Sequence, residues 1–269
     1  MKKTFIITFI LIFTTITTSI SFATSYRIYA TDDTMVSNIN GMENTNVGTE
    51  EYLVAETKYD TAYGIGYETI YLSYAYSFLK YDLSSIDVSD ITEIALYAYC
   101  FSQYTDERGP WSIYQGVDHE FDGNPIVNVA YVDNDNWSEQ YLTWNSMILD
   151  GIMVDNENYL ATENFDGDDI WYSWNITQEL GKYDLSDNLL SLAMYQVNED
   201  FPYWFDNGLY GYRYGMFYNY FASKEFDGIN HASYIDIITN GVITDPIIIN
   251  APLDPNINPN PNPAPVPEP

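Results

Sequence analysis

The feature that most constrains this chain is its rhythm of short β-prone runs cut by turn residues. Tyr52–Ala55, Ile70–Leu79, Glu93–Phe101, Ile126–Val132, Leu189–Val197 and Tyr234–Ile238 are rich in aromatic and branched side chains. Between them stand Asn40-Gly41, Asp122-Gly123, Asp166-Gly167 and Asn207-Gly208. Such pairs accept the left-handed backbone that reverses a chain, so the runs read as strands joined by turns. Amphipathic helix is scarce, and a turn at Thr177–Leu180 is the best helical segment. Many short strands with little helix predict an all-β fold, a two-sheet antiparallel β-sandwich of jelly-roll type.

The two ends read differently. Lys2 and Lys3 precede an apolar, Thr-rich stretch from Phe5 to Ile20, and Ser21-Phe22-Ala23 places small residues at the positions a signal peptidase reads. That pattern predicts a signal peptide over residues 1–23 and a secreted, extracellular product, with cell-surface association as a further expectation. The β-sandwich is expected over 24–240. Residues 241–269 run into a Pro- and Asn-rich tail that cannot form a core, and are expected to be a linker or a truncated sorting segment.

Charge narrows the partners. The chain holds 39 acidic and 9 basic residues, a net charge of -30, and losing Lys2 and Lys3 with the signal peptide makes it more negative still. Phosphate contacts need local Lys or Arg, so nucleic acid and anionic lipid are not expected partners. The acidity does not mean disorder, because 27 Tyr supply core and surface aromatics that a disordered acidic tail lacks. A single cysteine, Cys100, rules out an intrachain disulfide and sits in an apolar run as a buried small hydrophobe.

Seven phrases occur in a telling order: Asp33-Thr34-Met35-Val36; Asn44-Thr45-Asn46-Val47-Gly48 with Tyr52-Leu53-Val54; Phe78 to Ile86; Asn136-Trp137-Ser138-Glu139 through Trp144-Asn145; Trp174-Asn175-Ile176-Thr177; Leu190 to Met194; and Phe221-Ala222-Ser223-Lys224-Glu225. Together they resemble the DNRLRE domain, which is similar to carbohydrate-binding module family 96 and the disaggregatase-related repeats. The resemblance spans nearly all of residues 28 to 240. It implies an extracellular β-sandwich that binds polysaccharide, and family 96 modules are associated with alginate. So acidic a chain is poorly matched to a polyanion unless cations intervene. On physical grounds these phrases read as fold-maintaining: Asp82 and Ser84 end a strand, Ser138 and Glu139 serve a turn, and Ser223 to Glu225 lie on a late strand. The ending Val266-Pro267-Glu268-Pro269 resembles the opening of a PEP-CTERM sorting signal without its membrane helix and basic cluster. A membrane partner is therefore expected only through a missing C-terminal anchor.

Two Tyr-rich stretches, between Glu56 and Ser77 and between Asn198 and Tyr220, are extra relative to that pattern. In the second, Trp204 precedes an Asn207-Gly208 turn, and Tyr210, Tyr212 and Tyr214 follow at every second position. Residues two apart on a strand share a face, so these four rings form the expected sugar platform. Asp-rich turns offer hard oxygen ligands for a structural calcium: Asp32 with Asp33, Asp133 with Asp135, and Asp166 with Asp168. None has EF-hand spacing.

The two histidines, His119 and His231, are far apart, and no nucleophile elbow, supported Cys–His pair or phosphate loop is present. The expected function is a non-catalytic, extracellular carbohydrate-binding module. The alternatives are a structural cell-surface or biofilm-matrix protein without a glycan ligand, and a polysaccharide-degrading enzyme built on paired carboxylates.

Overall fold

The computed structural model describes residues 24–39, 41–64, 67–108, 126–152, 154, 159–165, 167–181, 185–197, 213–227, 230–240 and 246–251. Twelve strands are present among them. They are β1 (Ser25–Tyr29), β2 (Asp32–Ser37), β3 (Tyr52–Gly64), β4 (Tyr67–Asp82), β5 (Ile91–Arg108), β6 (Ile126–Tyr131), β7 (Ala161–Asn164), β8 (Ile170–Asn175), β9 (Leu189–Val197), β10 (Arg213–Ala222), β11 (Tyr234–Thr239) and β12 (Ile247–Ile249). Two short α-helices, α1 (Trp144–Leu149) and α2 (Thr177–Leu180), and a 3-10 turn at Val88–Asp90 join them. No described helix is long and apolar enough to cross a membrane.

The all-β sandwich is present, with its two layers joined rather than separate. Hydrogen bonds run along one path, β12-β1-β11-β5-β10-β3-β4-β9-β6-β7, with β2 on β4 and β8 on β5. Two long strands make this continuity. Along one edge β5 pairs first with β11 and then with β10, while β8 takes its other edge. In the same way β4 pairs with β3 and then β2 on one side and with β9 on the other. Every pairing is antiparallel except β1 with β12. That last strand lies within the stretch expected to be linker, where three successive Ile residues add to the edge.

The path curls so that its two halves face each other. Trp174 on β8 is fully buried, and its ring N–H donates to the Val127 carbonyl on β6 at 3.0 Å. Between the layers lie Ile28, Leu53, Leu79, Tyr81, Leu96, Val129, Leu192, Phe221 and Ile235, every one of them buried. Period two selects them: on β5, Ile94, Leu96, Ala98 and Cys100 are buried while the residues between are not.

A second apolar cluster sits under the segment from Trp137 to Ile152. Trp137 packs edge-on against Phe78 at 5.7 Å between ring centroids, and its ring N–H donates to Ser191 Oγ at 3.0 Å. The Thr143 side chain accepts from the Ser146 N–H, and Ser146 Oγ accepts in return from the Thr143 N–H at 2.8 Å. This reciprocal cap starts α1, which the sequence pattern did not reveal because six residues show no periodicity. Thr177–Leu180 forms the expected turn of helix. Ser84 N–H donates to Asp82 Oδ1 at 2.8 Å where β4 ends, as expected. Ser223 to Glu225 do not lie on a strand: β10 ends at Ala222, and the chain turns there because their polar groups bond other loops.

The described parts of the two Tyr-rich stretches come together. Residues 56–64 pair with 67–75 to form the distal β3–β4 hairpin, and β10 lies between β3 and β5 from Arg213 onward.

Replacing Trp174 with Ala removes the largest fully buried side chain among the described residues and a bond that spans the layers. Chemical denaturation should show a loss of about 3–5 kcal/mol.

Candidate functional site

On β5, Leu96, Ala98 and Cys100 point into the core, and Tyr97, Tyr99 and Phe101 lie half-buried on the opposite face. Burial pushes the Cys100 thiol up to about 12, so it is an inert core group, as expected. The three outward rings belong to a longer series. Tyr97 stacks on Tyr234 with centroids 5.0 Å apart, and Tyr234 lies 5.2 Å from Trp171 of β8. Trp171 is 5.5 Å from Tyr99, its register partner, which lies 4.2 Å from the His231 ring. Phe226 then links His231 to Phe101, and Tyr220 links Phe101 to Tyr52.

Trp171 keeps 38% of its surface exposed. Polar groups flank the rings. The Tyr99 hydroxyl reaches Asp169 Oδ1 at 3.5 Å, and His231 Nδ1 is 3.2 Å from Asp227. Arg27 lies 3.9 Å over the Tyr234 ring and donates through two nitrogens to Asp236, each bond 2.8 Å. Flat apolar rings bordered by hydroxyl, imidazole and carboxylate match the two faces of a sugar, its C–H surface and its hydroxyl edge.

Sequence reasoning missed this strip. The run from Ile94 to Phe101 reads as a uniformly apolar strand, although its alternation of aliphatic and aromatic residues was the available signal. Of the expected platform, Trp204, Tyr210 and Tyr212 lie outside the described residues. Tyr214 is on β10, in register with Asp60 of β3 and Arg108 of β5.

A second constellation is polar. Asp33, at the start of β2, is 1% exposed; its Oδ2 accepts from Lys224 N–H at 2.8 Å and its own N–H donates to Glu139 Oε2 at 3.2 Å. Glu139 N–H donates to Asp32 Oδ1 at 3.3 Å. The Lys224 ammonium pairs with Glu139, donates to the Thr31 carbonyl at 2.9 Å and lies 3.8 Å from Glu225 Oε1. Lys80 donates to the Trp137 carbonyl, covers the Trp137 ring at 4.3 Å and lies 3.9 Å from Asp32. Asn46 Nδ2 holds the Glu139 and Leu142 carbonyls at 2.6 and 2.9 Å. A Cβ on Gly48 would sit 2.0 Å from the Glu139 carbonyl oxygen, so only glycine permits this approach. Five of the seven phrases singled out in the sequence therefore converge on one spot.

Of the expected metal ligands, Asp32 and Asp33 join this knot. Asp135 is half-buried within the field of Lys80. Asp133 and Asp168 are exposed and stand apart from it, and Asp166 lies outside the described residues. Glu139 and Glu225 complete the acidic cluster, and the sequence pattern did not connect them because they are distant along the chain.

Burial, with the Glu225 charge added, pushes the Asp33 carboxyl up to about 8 against the opposing Lys224 N–H and ammonium. Burial likewise raises Glu225 and lowers Lys80. Lys224 is lowered by burial, but the Glu139 hydrogen bond and the surrounding carboxylates outweigh it and raise the ammonium.

A β-sandwich displaying an open aromatic strip has the form of a binding module. The sequence model of carbohydrate-binding module family 96 matches residues 24–206, and the chain belongs to that family. No curated protein matches it. The matched span covers β1 through β9; β10, β11 and the Lys224-Glu225 turn follow it yet complete the sheet and the knot.

With chelator present, folded Asp33 keeps its proton to about pH 8, whereas an unfolded Asp releases it near 3.8. The folded state therefore binds more protons between these values, and this group's contribution to stability is full below the lower one and falls as pH rises. Unfolding free energies measured from pH 4 to 8 should fall more steeply in the wild type than in Asp33→Asn. The difference should be at most about 1.4 kcal/mol per pH unit.

Proposed function

We propose that the chain is an exported, non-catalytic module that binds polysaccharide across the strip centred on Trp171 and Tyr99. The observation that carries this reading is the exposed Trp171 on β8 beside the half-buried Tyr97 and Tyr99 on β5, backed by the buried Tyr234 on β11, in a member of a carbohydrate-binding family. A buried core has no use for an indole left 38% exposed, whereas a sugar face does. The signal-peptide pattern of residues 1–23 supports export.

The flanks favour a neutral polysaccharide over a polyuronate. Asp168, Asp169 and Asp227 border the rings, and the nearest arginine, Arg27, is already committed to Asp236. A polyanion laid on this face meets repulsion unless divalent ions bridge it.

Affinity gels cast with neutral β-glucan, xylan or alginate test the reading. The Trp171→Ala/Tyr99→Ala pair should weaken retention on a neutral gel by roughly tenfold or more, since each ring contributes on the order of 1 kcal/mol. The melting temperature should change little, because both side chains lie at the surface. Wild-type retention by the double variant would move the site elsewhere. A wild-type chain retained by no gel would favour a structural cell-surface protein, and release of reducing sugar would make it an enzyme.

A further inference from the structure

We propose that Asp33, Glu139 and Glu225 form a site for one divalent hard cation with the size and coordination of calcium. Each contributes an oxygen, and the three lie within 4.8 Å of one another. Calcium takes oxygens at about 2.3–2.6 Å, so it joins oxygens up to about 5 Å apart.

Proximity of carboxylates is common in so acidic a chain, and two further observations single this cluster out. Asp33 Oδ2 is taken by the Lys224 N–H, but Asp33 Oδ1 is buried with no hydrogen-bond partner. The Tyr81 hydroxyl, fully buried and in the field of Asp33, has no partner either. Interior oxygens left without a donor carry a desolvation cost that a cation, with the water it brings, removes.

The ligands come from three places distant in sequence: the start of β2, the segment before α1 and the turn after β10. The Thr31 carbonyl already faces the cluster, where it accepts from the Lys224 ammonium at 2.9 Å. That ammonium holds the position in the absence of the ion, and its side chain is 18% exposed, so it has a route to solvent when the ion enters. The cation thereby replaces a lysine contact with a bond to all three segments. The site is independent of the sugar strip, and the two stand or fall separately.

Chelator-treated full chain should rise in melting temperature by roughly 5 °C or more in millimolar calcium. Terbium should also show luminescence on excitation of the nearby Trp137 and Tyr81. Both signals should vanish in Glu225→Gln and persist in an Asp133→Asn/Asp168→Asn control. Because any salt relieves repulsion at a net charge of -30, sodium and magnesium at matched ionic strength set the baseline. A calcium rise no larger than that baseline, or one retained in Glu225→Gln, overturns the proposal. Glu225 is the most exposed of the three, so its variant is the one expected to fold; Glu139→Gln gives a second reading by terbium alone.

Discussion

Asp33 is a carboxyl group removed from water almost completely, and the surrounding structure is arranged around the need to satisfy it. Water no longer solvates it, so the donors must come from the chain: the Lys224 amide from the far end and, beside it, the lysine ammonium. Glu139 is drawn in by the Asp33 amide and is itself held through its backbone by Asp32 and Asn46. Gly48 gives Glu139 room to approach. Such a network is weak evidence for net stability, since desolvation offsets much of the attraction. It is strong on uniqueness, because any other docking of these segments leaves charges buried and unpaired.

The second organising constraint is the two-residue period of the strand. On β5 it sends aliphatic side chains to one face and rings to the other, so core and strip are two faces of the same strand. The core ladder anchors the backbone of β5, and the strand repeat then sets the spacing of Tyr97, Tyr99 and Phe101. A binding surface made this way needs little ordering when a ligand arrives.

The fold class was legible in the sequence because turn pairs and β-branched runs act locally. Six runs, from Tyr52–Ala55 to Tyr234–Ile238, appear as strands. Less legible were β1, β2, β7 and β8, which are short and whose pairing is decided by distant partners. The joining of both layers into one path was hidden too, since it depends on β4 and β5 being long enough to exchange partners along an edge. At the site, Asp32 and Asp33 were visible as an acidic pair, but their partners Glu139 and Glu225 are brought close only by folding. The aromatic strip was hidden by composition: Tyr97 and Tyr99 count as apolar in a run, and only the observed face distinguishes them from Leu96 and Ala98.

β10 lies between β3 and β5, bonded to both, although it is made long after either. Until it emerges, two strands with full rows of unpaired amides and carbonyls stand facing an empty slot. Open edges of that kind pair readily with other chains. Closing the slot requires contacts across most of the chain's length, a topology that folds slowly. Synthesis of this protein therefore passes through an interval in which most of the chain exists and the sheet is still in separate pieces, and the charge repulsion its acidic surface supplies opposes association over that interval.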